Sequence, residues 1–234
     1  MSVSSAASVR ERTASRWLQL LFGFIAMMSI SSPQYVWTVF VEPFRQSFGA
    51  DTTLAALQFT PSLLIILQTF FSPFQAYLVE RFGPRALISL GALMSGLCWV
   101  LSSQATNIYM LYVTYGIIGG FGTGIVYVGI IGLMVRWFPD RRGLATGVAA
   151  AGYGFGAFFT SIPITGMVAS SGHVRTLVVW GIAQAVVGVI AALNLRTPPE
   201  AYLPPSYDPE IARTELQSQR SYTTREMLGN PGLV

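Results

Sequence analysis

The chain has 234 residues, of which 52% are hydrophobic and 10% are charged, and its mean hydropathy is +0.54. Soluble domains carry about 25% charged residues, so this composition excludes an ordinary soluble protein and indicates a membrane protein. The formal net charge is +4, and all fourteen basic residues are arginine. Because these arginines lie at the ends of apolar runs, they indicate orientation in a lipid bilayer, and no nucleic-acid partner is predicted.

Six apolar segments reach or approach the roughly 20 residues that a helix needs to cross the hydrocarbon core. None of them contains an arginine, an acidic residue or a histidine. The first follows three arginines, as in a signal peptide, but it is longer than the ~7–15 apolar residues of a signal sequence and is predicted to be an uncleaved membrane helix. The predicted helices are Trp17–Val41, Leu54–Val79, Ala86–Ser103, Ile108–Val135, Gly143–Ala169 and Thr176–Leu195.

Helix 1 contains a proline that is followed by polar and aromatic residues. Pro33 removes a backbone hydrogen bond and is expected to kink the helix. Since a buried amide or hydroxyl is costly in lipid unless it is satisfied, we expect Gln34 and Tyr35 to line a polar cavity. The alternative is the interfacial aromatic belt, which we favour for Trp37 because it lies near the outer end of the helix.

The turn between helices 2 and 3 reads AYLVERFGPRAL. Gly83 and Pro84 make the turn, Glu80 is expected to pair with Arg81, and Arg85 faces the cytoplasm. An exposed ion pair contributes only ~0–1 kcal/mol, but a gate needs only a modest bias between two conformations. We therefore predict a gating motif that contains Glu80, Arg81, Gly83 and Arg85, with solvated surface charge as the alternative.

Helices 4 and 5 are rich in glycine at helical spacing. Small residues four apart let helix backbones approach closely. Packing within the chain is the favoured interpretation, and homodimerisation is the alternative. The glycines are Gly116, Gly119, Gly120, Gly122 and Gly124 in helix 4, and Gly143, Gly147, Gly152, Gly154 and Gly156 in helix 5.

The same two helices each carry a tyrosine near the middle of the membrane. Tyr127 lies in the cytoplasmic half of helix 4, and Tyr153 lies near the middle of helix 5. With Gln34 and Tyr35 they bracket the bilayer midplane, where the substrate sites of transporters usually lie. For each tyrosine the alternative is a core residue that is hydrogen-bonded to a backbone carbonyl.

The turn between helices 4 and 5 is strongly basic. It carries Arg136, Asp140, Arg141 and Arg142. Asp140 is expected to pair locally with arginine, and the turn forms the second part of the predicted cytoplasmic gate.

Nine arginines fall on one side of the predicted bundle, and only Arg45 and Arg175 fall on the other. Because cytoplasmic loops carry an excess of basic residues, both termini are predicted to be cytoplasmic in a multi-pass protein of the cell inner membrane. The nine are Arg10, Arg12, Arg16, Arg81, Arg85, Arg136, Arg141, Arg142 and Arg196.

The composition changes after helix 6. Residues 196–234 contain six of the thirteen prolines and too little apolar surface to form a core. We predict a cytoplasmic N-terminal segment at residues 1–15, a six-helix bundle at 16–195 and a cytoplasmic central loop at 196–234, truncated before a seventh helix. A short amphipathic helix near Pro209–Ser218 is a candidate within this loop.

Several motifs resemble one transporter family. AYLVERFGPR resembles the motif G-x-L-x-D-R-x-G-R between helices 2 and 3 of the major facilitator superfamily, with Ala76 replacing the first glycine and Glu80 the aspartate. In that superfamily the acidic residue helps to lock the turn against the eleventh helix. QYVWTVF, RFGPR, RWFPDRRGLATG, AAGYGFG and the final EML-x-x-P resemble the oxalate/formate antiporter family and its monocarboxylate relatives.

This resemblance implies the N-terminal half of an all-α membrane transporter that moves small carboxylates by alternating access. Gln34, Tyr35, Tyr127 and Tyr153 would form one wall of its site, while the family's substrate-binding basic residues belong to the second half. Because no predicted span holds a cation and burying a charge costs several kcal/mol, we expect no carboxylate transport by this chain alone. The expected partners are the lipid bilayer, a small carboxylate, and a second six-helix half or a second copy.

The sequence allows three other functions. A half-size carrier that acts as a dimer and a non-transporting membrane fragment stay open. An intramembrane serine protease is the least favoured, because it needs a serine and a histidine inside the membrane, whereas the single histidine, His173, lies in an outer loop beside Ser171. Cys98 alone forms neither an intrachain disulfide nor a metal site. We predict no enzymatic activity, no catalytic residue, no metal and no cofactor.

Overall fold

The computed structural model describes residues 3–49 and 52–199, with side chains from Ser15 onward. Within these ranges the chain is helical, with short connections. The candidate helix near residues 209–218 lies outside the described residues. The elements are α1 (Val3–Ser29), α2 (Ser32–Tyr35), α3 (Thr38–Phe48), α4 (Leu54–Phe70), α5 (Ser72–Phe82), α6 (Pro84–Ser102), α7 (Ile108–Leu111), a π-helical segment (Tyr112–Ile118), α8 (Gly119–Trp137) and α9 (Arg142–Leu193).

The first two predicted helices are each divided into shorter pieces. The segment predicted as helix 1 comprises the end of α1, all of α2 and the start of α3, and the chain bends by 47° between Tyr35 and Thr38. Pro33 lies in the first turn of α2, where its missing N–H costs no helical hydrogen bond. The segment predicted as helix 2 comprises α4 and most of α5, which meet at Phe71 with a bend of 58°.

The longest helix contains a single break. α9 has 52 residues, which would extend about 78 Å if the helix were straight, far more than a bilayer core of about 30 Å. At Gly172 the backbone adopts φ 80° and ψ 164°, a conformation that favours glycine and interrupts the helix. Residues 142–171 and 173–193 therefore form two helical parts, and the expected loop between helices 5 and 6 is reduced to one non-helical residue.

The helices pack through glycine contacts. α1 and α6 both pack on α9, and α8 lies against α1, α4, α5, α6 and α9. A Cβ atom added at Gly181 of α9 would lie 2.7 Å from the Gly96 carbonyl oxygen of α6, and one at Gly120 of α8 would lie 2.8 Å from the Leu64 carbonyl oxygen of α4. The Gly120 contact confirms packing within the chain for predicted helix 4, whereas in predicted helix 5 a Cβ added at Gly143, Gly147 or Gly154 would meet no atom within 4 Å.

Three of the described helical segments are long and apolar enough to cross a membrane. They are α6, the continuous segment formed by α7, the π-helical segment and α8, and α9. The number rises to five if each of the two bent pairs counts as one span. The architecture is thus all-helical, with apolar helices of membrane-spanning length.

Candidate functional site

The break in the first apolar segment exposes the end of α2. Tyr115, from the π-helical segment, is buried, and its hydroxyl donates a 2.6 Å hydrogen bond to the Pro33 carbonyl. This bond satisfies a carbonyl near the break, which would otherwise be costly in an apolar surrounding. The two residues that follow Pro33, Gln34 and Tyr35, are consequently held at a fixed bend in the middle of the segment.

Gln34 is bound directly to α9. The Tyr153 hydroxyl donates a 2.7 Å hydrogen bond to Gln34 Oε1. Tyr153 is only 5% exposed, so this contact lies inside the bundle. Gly152 and Gly156, on either side in sequence, let α9 approach the backbone of α1 at Phe24 and Met28. The close helix packing therefore brings the tyrosine hydroxyl to the amide.

Two further tyrosines surround Tyr153. The ring of Tyr35 lies edge-on to it with centroids 5.4 Å apart, and the ring of Tyr127 lies edge-on at 5.6 Å. Tyr35 is 52% exposed, so one side of the group faces open space. The structure thus brings together all four predicted residues, Gln34, Tyr35, Tyr127 and Tyr153, which are called the tyrosine cluster below.

Gln68 of α4 was not predicted from the sequence and joins this cluster. Its side chain approaches the Tyr153 hydroxyl, and its Oε1 is buried without a partner among the described residues. The sequence did contain a signal that could have identified Gln68. It is a glutamine inside an apolar helix, and a buried amide in lipid needs a hydrogen-bond partner. The cluster as described therefore combines hydroxyl and carboxamide groups from α2, α4, α8 and α9.

Trp37 does not belong to an interfacial belt, so that expectation is wrong. It is 2% exposed and packs against Tyr115, with centroids 4.8 Å apart, and against Phe44 at 5.9 Å. The bend after Tyr35 turns Trp37 inward, and burial of its large ring stabilises the packing of α3 against the bundle.

Glu80, in the last turn of α5, pairs with a residue of another helix. Glu80 Oε1 accepts a 2.8 Å hydrogen bond from Arg136 at the end of α8, and both side chains are more than half exposed. The expected pair of Glu80 with Arg81 is wrong, because Arg81 Nη1 instead donates to the Tyr77 hydroxyl at 3.1 Å. Gly83 forms the turn at φ 86°. The predicted motif therefore links α5 to α8.

Asp140 forms a buried ion pair with Arg16, which was not predicted as its partner. Arg16 Nη1 lies 3.2 Å from both carboxylate oxygens, and the two side chains are 6% and 4% exposed. The expected local pairing includes Arg141, whose Nε lies 3.9 Å from the Asp140 carboxylate. The Arg16 guanidinium also lies over the ring of Phe138 at 5.2 Å. The Arg16–Asp140 pair thus connects the turn before α9 to the start of the first apolar segment.

Two further predicted gating residues lie at the starts of helices. Arg142 is the first residue of α9, and Arg85 lies in the first turn of α6, where it lines a surface cleft. Within the described residues, no group of three or more His, Cys, Asp or Glu side chains is placed to hold a metal ion. His173 lies near the break in α9, with its Nε2 3.5 Å from the Ser47 hydroxyl.

Comparison of the sequence with known proteins identifies the family of this chain. The family model of the Major Facilitator Superfamily matches residues 20–233. The chain is 32% identical to the oxalate:formate antiporter of Oxalobacter formigenes over 183 residues, which are 78% of this chain and 43% of that protein. It is 28% identical to human monocarboxylate transporter 14 over 181 residues, 76% of this chain and 34% of that protein.

A further relative is the uncharacterized MFS-type transporter YhjX of Escherichia coli strain K12, at 26% identity over 216 residues, 92% of this chain and 51% of that protein. The chain therefore spans about half the length of these relatives or less. The family and these relatives indicate a transporter rather than an enzyme. On the family match and these relatives, this chain belongs to the major facilitator superfamily of membrane transporters.

Proposed function

We propose that this chain is one half of a secondary active transporter that moves a small carboxylate, of the oxalate, formate or monocarboxylate type, by alternating access. The observation that carries the proposal is the tyrosine cluster, in which Tyr153 donates to Gln34 and is flanked by two tyrosine rings. Hydroxyl and amide N–H groups are donors that suit carboxylate oxygens. The names of the relatives support the same substrate class.

In the proposed topology the chain crosses the membrane six times, and the start of the first span and the end of the sixth span both lie on the cytoplasmic side. The two bent pairs supply spans 1 and 2, α6 and α8 supply spans 3 and 4, and the break at Gly172 divides α9 into spans 5 and 6. The distribution of arginines supports the cytoplasmic placement of the ends, because among the described residues only Arg45 and Arg175 lie near the outer ends of the helices in this arrangement.

A second set of helices would complete the site. No charged side chain belongs to the tyrosine cluster as described. An anion would therefore meet only neutral hydroxyl and amide groups in this half of the site. One face of the first part of α9 is free to receive another bundle, because a Cβ added at Gly143, Gly147 or Gly154 would meet no atom within 4 Å. The partner is either a separate six-helix half or a second copy of this chain, which would make a half-size carrier.

Exchange of labelled oxalate and formate in liposomes tests the proposal. With the 234-residue chain alone, we expect no exchange above that of empty liposomes. When a second six-helix half is present, we expect exchange that unlabelled carboxylate competes away. Substrate-specific exchange by the chain alone, with crosslinked dimers in the same liposomes, would favour the half-size carrier; absence of exchange in both preparations would contradict the proposed function.

A further inference from the structure

A cleft of about 580 Å³ lies at the surface where the first turn of α6 meets the end of α9. Its lining combines two arginines, Arg85 and Arg196, with apolar side chains that include Phe82 and Leu193. No acidic residue lines the cleft, and no carboxylate of the described residues forms an ion pair with either arginine. The cleft therefore carries positive charge that the described protein does not neutralise.

The backbone on both sides of the cleft is held in place. Gly83, with φ 86°, makes the tight turn that sets Arg85 in the first turn of α6. On the other side, the Arg196 N–H donates a 2.7 Å hydrogen bond to Gln19 Oε1, and its carbonyl accepts one of 2.7 Å from Trp137 Nε1. Residues from α1 and α8 thus fix the backbone that carries the second arginine, so the cleft is a preformed feature.

An apolar stripe leads away from the cleft along both helices. At spacings of three and four residues, side chains that are 40–57% exposed continue from the cleft along α6 and α9, which pack against each other. A soluble anion would leave this stripe unused, whereas a lipid would cover it. The stripe consists of Leu90, Leu93, Leu97, Val186, Ile190 and Leu193.

We propose that the cleft binds the phosphate headgroup of an anionic phospholipid whose acyl chains lie along this stripe. Arginine suits phosphate because its planar guanidinium offers paired N–H donors. Basic pockets between membrane helices at a membrane surface are known to suit anionic lipid headgroups. The inference needs only that the bundle spans a bilayer, and it does not depend on which substrate the protein carries.

Native mass spectrometry of the full 234-residue chain tests the proposal. The probes are phosphatidylglycerol and phosphatidylcholine with identical acyl chains, so only the headgroup differs. We expect the wild-type chain to retain phosphatidylglycerol preferentially. Each of R85Q and R196Q is expected to weaken that binding about fivefold, and the double variant about 25-fold. R45Q/R175Q removes the same charge from the opposite end of the bundle and is expected to change binding less than about twofold.

Both substituted side chains are exposed, so the variants are expected to fold, which circular dichroism and lipid-free thermal unfolding verify. Equal retention of both lipids by the wild type, or an unchanged phosphatidylglycerol preference in R85Q/R196Q, would overturn the proposal. Thermal unfolding with inorganic phosphate distinguishes a lipid headgroup from a soluble anion. If phosphate raises the unfolding temperature as much as phosphatidylglycerol does, and R85Q/R196Q abolishes both effects, the site takes a soluble anion and the lipid assignment is wrong.

Discussion

Asp140 illustrates how two acidic residues of similar sequence context acquire different roles. Its carboxylate is buried against Arg16, whereas the carboxylate of Glu80 lies in solvent against Arg136. A buried charge that loses its partner is strongly destabilising, while an exposed pair contributes little. We infer that the Arg16–Asp140 pair holds the first apolar segment to the turn before α9, and that Glu80–Arg136 can open at little cost.

Replacement of Asp140 by asparagine is expected to lower the free energy of unfolding by about 3 kcal/mol, because the Arg16 guanidinium stays buried without a counter-charge. The matched control is E80Q, which removes the same charge from the exposed pair and is expected to cost under ~1 kcal/mol. Denaturant unfolding in detergent, followed by circular dichroism, measures both. If D140N and E80Q lower the free energy of unfolding equally, the Arg16–Asp140 pair does not stabilise the fold more than the exposed pair does.

The sequence predicted four members of the tyrosine cluster, because polar groups in apolar helices stand out, but it missed Gln68. Gln34, Tyr35, Tyr127 and Tyr153 each interrupt an apolar run, and a polar group in lipid requires a partner. The partner of Asp140 was not predictable in this way, since Arg16 is 124 positions away and several arginines are nearer in sequence. Trp37 was misplaced because its burial depends on the direction of the bend after Tyr35, which a linear pattern does not contain.

At the level of elements, the sequence predicted one of the two bends inside the apolar segments and missed the other. Pro33 indicated the bend of the first segment, whereas the bend at Phe71, just before Pro73 in the first turn of α5, was not predicted although a proline was also present there. The length of α9 likewise depends on one residue, because the chain stays helical on both sides of Gly172. Glycine at close contacts is the feature that the sequence indicated most directly.

Substitution of Gly181 by alanine is expected to destabilise the bundle by about 1–3 kcal/mol, the usual cost of overpacking. The added Cβ would lie 2.7 Å from the Gly96 carbonyl oxygen, so α6 and α9 would have to separate. G166A is the control, because that position of α9 has no atom within 4 Å of an added Cβ and alanine favours helix by about 1 kcal/mol. Thermal unfolding in one detergent compares them, and a loss of stability in G166A equal to that in G181A would contradict the close-packing explanation.

At the level of the whole molecule, the proposed topology makes a direct prediction about accessibility. The single native cysteine, Cys98, is buried, so the background for a membrane-impermeant maleimide is expected to be low. In intact cells we expect labelling of Q104C, in the connection after α6, and labelling of R141C only after the membrane is permeabilised. The reverse pattern would show that the bundle has the opposite orientation.

The whole molecule is proposed to supply one wall of a carboxylate site that a second set of helices completes. The exposed side of Tyr35 and the open glycine face of α9 are the surfaces on which this proposal depends. The two ion pairs that link the turns of the proposed cytoplasmic side differ in strength. The buried Arg16–Asp140 pair is expected to stay closed, whereas the exposed Arg136–Glu80 pair can open, and a gate needs such a small energy difference between two conformations.

Carboxylate exchange by Y153F, measured in liposomes that contain this chain and a second six-helix half, tests the central claim most directly. Loss of the hydroxyl removes the hydrogen bond to Gln34 and a donor from the cluster, so we expect exchange to fall about tenfold or more, as for a bond to a charged group. Y109F, which changes an exposed tyrosine outside the cluster, is expected to keep wild-type exchange. Wild-type exchange by a correctly folded Y153F would contradict the assignment of the tyrosine cluster as the substrate site.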